Sequence, residues 1–173
     1  MEKDNVILIG MPASGKSTAG VLLAKALGLG FVDSDLLIQS REGALLCDII
    51  ARRGAEQFLR IEEEVNASLV VRRCVIATGG SVIYGDRAMR HLRGMGTVVY
   101  LKLGEPALEK RLKNIFRRGV VMRRQGETVA ELYAERAPLY EKYADITVNC
   151  GGQTVEETVR AVAEALEARG ALR

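Results

Sequence analysis

The sequence predicts an α/β protein, a three-layer sandwich in which a parallel sheet carries helices on both faces. Two observations lead to this. Five short apolar runs, at residues 6–9, 31–33, 75–77, 97–101 and 146–148, alternate with amphipathic stretches of helical period. The first run also passes straight into a glycine-rich loop, "GMPASGKST", and then into a helical pattern.

The helical stretches come in order at 17–27, 44–53, 56–71, 106–113 and 128–143, and a last one at 155–169 closes the pattern. Gly28 follows the first where a C-terminal glycine belongs. Thr128-x-x-Glu131 and Thr154-x-x-Glu157 have capping-box spacing and mark two helix starts. Pro138 falls inside a helical pattern, so a kink or break is expected near it. Residues 114–126, rich in arginine and glycine, form the one long irregular stretch, which reads as a lid or binding loop. There is no repeat, linker or low-complexity segment, so residues 1–173 read as a single domain.

Composition removes several function classes. No apolar run approaches the roughly 20 residues that span a bilayer. The start, "MEKDN", is charged and lacks the regions of a secretory signal, so a cytoplasmic protein is expected. Three widely spaced cysteines and one histidine, His91, leave a zinc site almost no ligands. Cys47, Cys74 and Cys150 are expected to be small buried hydrophobes. A net charge of +3 is too mild to demand nucleic acid, and an aromatic content of 5% without tryptophan offers little base stacking.

Gly10-x-x-x-x-Gly15-Lys16-Ser17 is a complete phosphate-binding loop. Its glycines let backbone N–H groups crowd an anion. Lys16 can reach the β- and γ-phosphates, and the Ser17 hydroxyl can ligate Mg²⁺. G-x-G-x-x-G is absent after the first strand, which argues against a dinucleotide. The second strand runs into "FVDSD". In an extended chain Asp33 and Asp35 point the same way, toward the crevice at the carboxyl ends of the strands. One can hold the Mg²⁺ water shell and the other can deprotonate an acceptor hydroxyl; the alternative is that either one caps the next helix. Gly79 and Gly80 in "ATGGSV" end the third strand on the same crevice, where bare backbone can approach a small ligand. Between Lys110 and Arg124 the chain is densely basic, as a lid over migrating phosphate needs.

"GMPASGKST", "FVDSD", "FLRIEEE", "TGGSV", the arginine-rich stretch and "ERAPLYEKYAD" together resemble the shikimate kinases, in order and spacing, over nearly the whole chain. The resemblance implies a P-loop kinase fold with a mobile lid at 114–126, an acceptor-binding helical region at 34–71, and sheet order 2-3-1-4-5. It implies transfer of phosphate from MgATP to the 3-hydroxyl of shikimate, on the way to chorismate and aromatic amino acids. Gly10, Ala13, Ser14, Gly15, Lys16, Ser17 and Thr18 then bind ATP, together with Arg111 near adenine and Arg118 at the phosphates. Ser17 and Asp33 serve the metal. Asp35, Gly79, Gly80, Arg136 and the position of Leu59 form the substrate site, with Arg136 on the carboxylate. Lys16, Asp35 and Arg118 are the catalytic set. Partners are ATP and a small hydroxylated acid, with no nucleic acid or membrane, and a monomer is expected.

Three positions depart from the family's pattern. Leu59 stands where the motif F-R-R-I-E has a second carboxylate-binding arginine, Ser81 replaces a third glycine, and the lid reads Arg118-Gly119-Val120-Val121 instead of R-P-L-L. On a helix, Phe58, Ile61, Val65 and Leu69 form one apolar stripe, while Leu59 lies about 100° away among Glu62, Glu63 and Asn66. Leucine cannot donate to a carboxylate, so shikimate is expected to bind weakly, or a related hydroxylated metabolite to be preferred. Glu62, without an arginine one turn back, is left to meet a hydroxyl or amine of the acceptor.

Overall fold

A computed structural model describes residues 3–112, 120–121 and 126–171. Five strands, β1 (Asn5–Ile9), β2 (Gly30–Asp33), β3 (Cys74–Ala77), β4 (Gly96–Lys102) and β5 (Ile146–Asn149), form one parallel sheet in the order β2-β3-β1-β4-β5. The glycine-rich loop therefore leaves the central strand. The described residues form seven α-helices, six between strands and one after the last: α1 (Lys16–Leu27), α2 (Ser34–Glu42), α3 (Leu46–Ala67), α4 (Asp86–Met95), α5 (Glu105–Leu112), α6 (Val129–Tyr143) and α7 (Val155–Ala168).

Successive side chains of a strand point to opposite faces, and this divides the core in two. Val6 and Leu8 of β1 pack with Leu23 of α1 and Val162 of α7 on one face. Ile7 and Ile9 pack with Met89 of α4, Leu108 of α5 and Tyr140 of α6 on the other. A third cluster, built from Ile38 of α2 with Phe58, Ile61 and Val65 of α3, stands beside the sheet. The Asn5 side chain ties the non-functional end together. Its amide donates to Val71 and Met95 carbonyls at 3.1 and 3.0 Å, and its oxygen accepts the Cys74 N–H at 3.0 Å.

Most expected elements are present within a residue or two. The two helices expected at 44–53 and 56–71 are the halves of α3, divided at Gly54, whose φ of 79° and ψ of 164° are not helical. Both capping boxes are formed, and Gly28 is left-handed with φ 64°. Three expectations need correction. The sequence reading has no helix at 86–95, where α4 buries Ala88, Met89, Leu92 and Met95 along one side. Of the kink or break expected near Pro138, the break is absent, since α6 is continuous through it. The carbonyl that loses its partner belongs to Ala134, an exposed residue that water can satisfy. All three cysteines are free thiols, but only Cys150 is buried; Cys47 and Cys74 are half-buried.

Candidate active site

The site begins at the loop between β1 and α1. Gly15 caps α1 in a left-handed conformation, φ 90°, that a side chain would strain. No side chain bonds the start of α1, and its first turn has no acidic residue. Its N–H groups are thus left for an anion, on the positive end of the helix dipole. Lys16 is buried, and its ammonium donates to the carbonyls of Gly10 and Met11, both at 2.8 Å, and to Ser14 Oγ at 3.4 Å. Burial pushes its pKa down to about 8, against the opposing pull of Asp35. Ser17 and Thr18 are exposed at the rim of the same cleft.

The second strand end meets this loop. Ser17 Oγ donates to Asp33 Oδ2 at 2.6 Å, and Asp33 Oδ1 accepts the Asp35 N–H at 3.0 Å. Asp33 is therefore the N-cap of α2 and a partner of Ser17 at once. This corrects the extended-chain argument: β2 stops at Asp33, and Asp35 lies in the first turn of α2. Asp35 is half-buried and lines the cleft. Burial raises its carboxyl to about 6; the Asp33 charge adds to this and Lys16 opposes it.

Behind β3, the turn from Thr78 to Ser81 closes the third side. A Cβ on Gly79 would lie 2.2 Å from Glu62 Oε1 and 2.7 Å from Asp35 Oδ1, so only glycine lets both carboxyl groups approach here. Gly80 packs on Pro12 of the phosphate-loop side, and Tyr140 donates its hydroxyl proton to the Gly80 carbonyl. Ser81 Oγ donates to Glu62 Oε2 at 2.5 Å. Glu62 is 1% exposed. Burial pushes its carboxyl up to about 8; Ser81 opposes the rise and Asp35 adds to it.

The fourth side is α6. Arg136 is 1% exposed, donates to the Val121 carbonyl, and reaches Tyr84 Oη with Nε at 3.3 Å. Its guanidinium also lies 5.4 Å from the Tyr84 ring centroid, a cation–π contact. Arg111 of α5 approaches from outside and donates to the Ala13 carbonyl at 3.1 Å.

A cleft of about 280 Å³ thus brings together Ala13, Gly15, Lys16, Ser17, Thr18, Asp35, Gly79, Gly80 and Arg136 from the sequence-derived set. Gly10 and Ser14 meet it through Lys16, and Asp33 through Ser17. Leu59 is not among the lining residues; it is half-buried against the cluster of Phe58 and Ile61. Arg60 turns away to pair with Glu56 at 2.6 Å. Arg118 and most of the stretch 114–126 lie outside the described residues. The face expected to be polar on α3 is buried at Glu62 and Asn66. The sequence marked Glu62 only as a carboxylate without an arginine and Ser81 only as a departure. Nothing in the run of three glutamates distinguishes the one that turns inward.

Such an arrangement can bind a polyphosphate at the loop, hold an acidic hydroxylated molecule opposite it, and accept a proton between the two. Comparisons with known proteins agree. The family model for shikimate kinase matches residues 12–167. The chain is 41% identical to a shikimate kinase of Chlorobium chlorochromatii, covering 93% of this chain and 92% of that protein. In structure it is similar to shikimate kinase from Acinetobacter baumannii in complex with shikimate, with a TM-score of 0.87, 26% identity and coverage of 96% and 94%. It is likewise similar to shikimate kinase from Aquifex aeolicus, with a TM-score of 0.82, 31% identity and coverage of 96% and 98%.

Proposed function

The chain belongs to the shikimate kinase family, and we propose that the cleft described above is where it transfers the γ-phosphoryl group of ATP to a hydroxyl of shikimate. The observation that carries this reading is the placement of Asp35. Its half-buried carboxyl lines the same cleft as the phosphate-loop lysine and a fully buried arginine.

The residues divide the work as their chemistry dictates. The loop amides and the start of α1 hold the ATP phosphates. Lys16 exchanges its carbonyl partners for β- and γ-phosphate oxygens. Asp35 orients the acceptor hydroxyl and takes its proton as the oxygen bonds to the γ-phosphorus and the bond to the β-phosphate oxygen breaks, releasing ADP. A carboxyl raised to about 6 is still ionised at pH 7 and more basic than an ordinary aspartate. Arg136 binds the acceptor carboxylate, and Gly79 and Gly80 let backbone approach the acceptor ring. Arg111 serves the nucleotide side, and Arg118 adds charge at the migrating phosphate. The chain works as one kinase domain, residues 1–173, with its acceptor region at 34–71 and its lid at 114–126.

The metal is Mg²⁺, and the donors fit it. Among the described residues no group of three or more His, Cys, Asp or Glu could hold a metal ion. One hydroxyl and one carboxylate, Ser17 and Asp33, meet at 2.6 Å. So sparse an oxygen set suits Mg²⁺, which keeps its waters and leans on substrate phosphates. When bound, it neutralises charge on the phosphate oxygens. No described helix is long and apolar enough to cross a membrane. We assign the enzyme to the cytoplasm as a monomer.

The test is an acceptor screen with MgATP over shikimate, quinate, gluconate and nucleoside monophosphates, reading ADP release and phosphorylated product. ADP release that depends on shikimate supports the reading. Release with another acceptor alone would instead make Leu59 the mark of a changed substrate.

A further inference from the structure

Among the described residues Arg136 is the one arginine that lines the cleft, and Leu59 does not reach it. Recognition of an acid group therefore rests on how one guanidinium is held. Arg136 is buried, yet its hydrogen-bond partners among the described residues are uncharged: the Val121 carbonyl and, through Nε, the Tyr84 hydroxyl oxygen at 3.3 Å. Tyr140, also uncharged, faces the same group. A buried cation without a bonded anion is costly, so the site is built to receive one.

An anion nevertheless stands close by. Glu135 precedes Arg136 in α6, and its Oε1 accepts the Tyr84 hydroxyl proton. The phenol is thus interposed between carboxylate and guanidinium, donating to the first and accepting from the second. A phenol has one proton and free lone pairs, so it serves both at once. Donating to a carboxylate also makes its oxygen a better acceptor, because consecutive hydrogen bonds polarise one another. A direct ion pair with Glu135 would instead occupy the fork of N–H groups that an acceptor carboxylate fits.

Tyr84 is itself firmly placed. It ends a 3₁₀ turn, Val82–Tyr84, directly after the Gly79–Ser81 turn that faces the cleft. Its N–H donates to the Ser81 carbonyl at 3.0 Å, and Val82 and Ile83 are buried. On its other side Gly85 lies against α3, where a Cβ would come within 3.0 Å of Glu63 Cγ. The Tyr84 ring centroid lies 5.4 Å from the Arg136 guanidinium, so ring and hydroxyl hold one group together.

We propose that Tyr84 is a positioning residue for acid recognition: its phenol, braced by Glu135, holds Arg136 Nε and turns the rest of the guanidinium to the carboxylate of the acceptor. This rests on the reading that Arg136 binds that carboxylate. An arginine fixed before binding loses little rotamer freedom when the acceptor arrives, so the effect falls on acceptor affinity and not on the chemical step.

The experiment crosses two acceptors, shikimate and its methyl ester, with wild type, Y84F and Y84L. It reads kcat, the KM for ATP, the KM for shikimate, and the KM of the ester or, where the ester is not turned over, its inhibition constant against shikimate. Y84F keeps the ring and loses only the hydroxyl. Its KM for shikimate should rise about two- to tenfold, as one hydrogen bond implies, with kcat and the KM for ATP unchanged. The ester has no carboxylate charge, so Y84F should bind it as wild type does, and the preference for shikimate narrows. Y84L, which also removes the ring, should narrow it further. Equal weakening on both acceptors, or a fall in kcat in place of the rise in KM, would overturn the proposal. So would a Y84F that prefers shikimate as strongly as wild type, and that outcome leaves the Arg136 reading standing. Wild type that binds ester and shikimate equally overturns the Arg136 reading, and the proposal with it.

Discussion

Asp35 and Glu62 are two carboxyl groups a few ångströms apart, and their surroundings give them different protonation at neutral pH. Asp35, raised to about 6, is ionised; Glu62, raised to about 8, is neutral. On the proposed reading, the ionised one is the base. Asp35→Asn keeps the size and removes that base, so kcat should fall at least about a hundredfold with little change in the KM for ATP. Steady-state kinetics in both substrates checks this; a fully active variant would reduce Asp35 to a residue of the first helical turn. In the wild type, kcat/KM for the acceptor should climb as pH rises through about 6 and Asp35 loses its proton, and a pH profile reads this directly. Glu62 makes its own prediction for stability. Its folded pKa lies above the usual 4.5, so the folded state holds a proton that the unfolded chain releases. The favourable contribution is complete below pH 4.5 and is lost as pH rises through about 8. Glu62→Gln stays neutral throughout. Urea unfolding should therefore show the variant gaining on wild type by about 3–4 kcal/mol between pH 5 and pH 8. A difference that stays constant with pH would mean that Glu62 ionises freely in the folded state.

At the scale of elements, the phosphate loop, the Asp33–Asp35 pair and the Gly79–Gly80 turn stand at strand ends or helix starts, while Glu62 and Arg136 come from the interiors of α3 and α6. That is why the strand ends were legible in the sequence. The phosphate loop, the capping boxes and the glycines after β3 all carry local rules that hold whatever the tertiary context. Asp33 and Asp35 were legible as a pair but not in their true conformation, because a two-residue offset reads alike in a strand end and across a helix cap. The burial of Glu62 was not legible at all. A glutamate on a helix is ordinarily solvated, and only the turn at Gly79, brought across by sheet order, encloses this one. Helix α4, by contrast, carries a usable signal in Ala88, Met89, Leu92 and Met95, spaced along one face. Helix α6 carries Arg136 and Tyr140 to the site and is held at its start by Thr128, which accepts the Glu131 N–H at 3.2 Å. Thr128→Ala should cost about 1 kcal/mol of stability in chemical unfolding. Glu131 still holds the Thr128 backbone N–H at 2.8 Å, so a loss of several kcal/mol would show that the cap supports more than one helix end.

In the molecule as a whole, the sheet is a rigid floor and the chemistry lies along one edge. β1, at the centre, gives the phosphate loop; β2 and β3, on one side of it, give Asp33 and the Gly79–Gly80 turn. β4, on the other side, leads into α5 and Arg111. On the proposed reading, nucleotide and acceptor meet in the one cleft that Lys16 and Asp35 both line. Order 2-3-1-4-5 is what brings loops more than sixty residues apart in sequence, such as Pro12 and Gly80, into contact. On the proposed reading, this edge is where ATP meets shikimate. That reading is tested most directly by ADP release from MgATP in the presence and absence of shikimate, with wild type and Asp35→Asn side by side. Release by the wild type should rise with shikimate concentration and yield shikimate 3-phosphate, and release by the variant should stay near background. ADP release by the wild type that is indifferent to shikimate would contradict it.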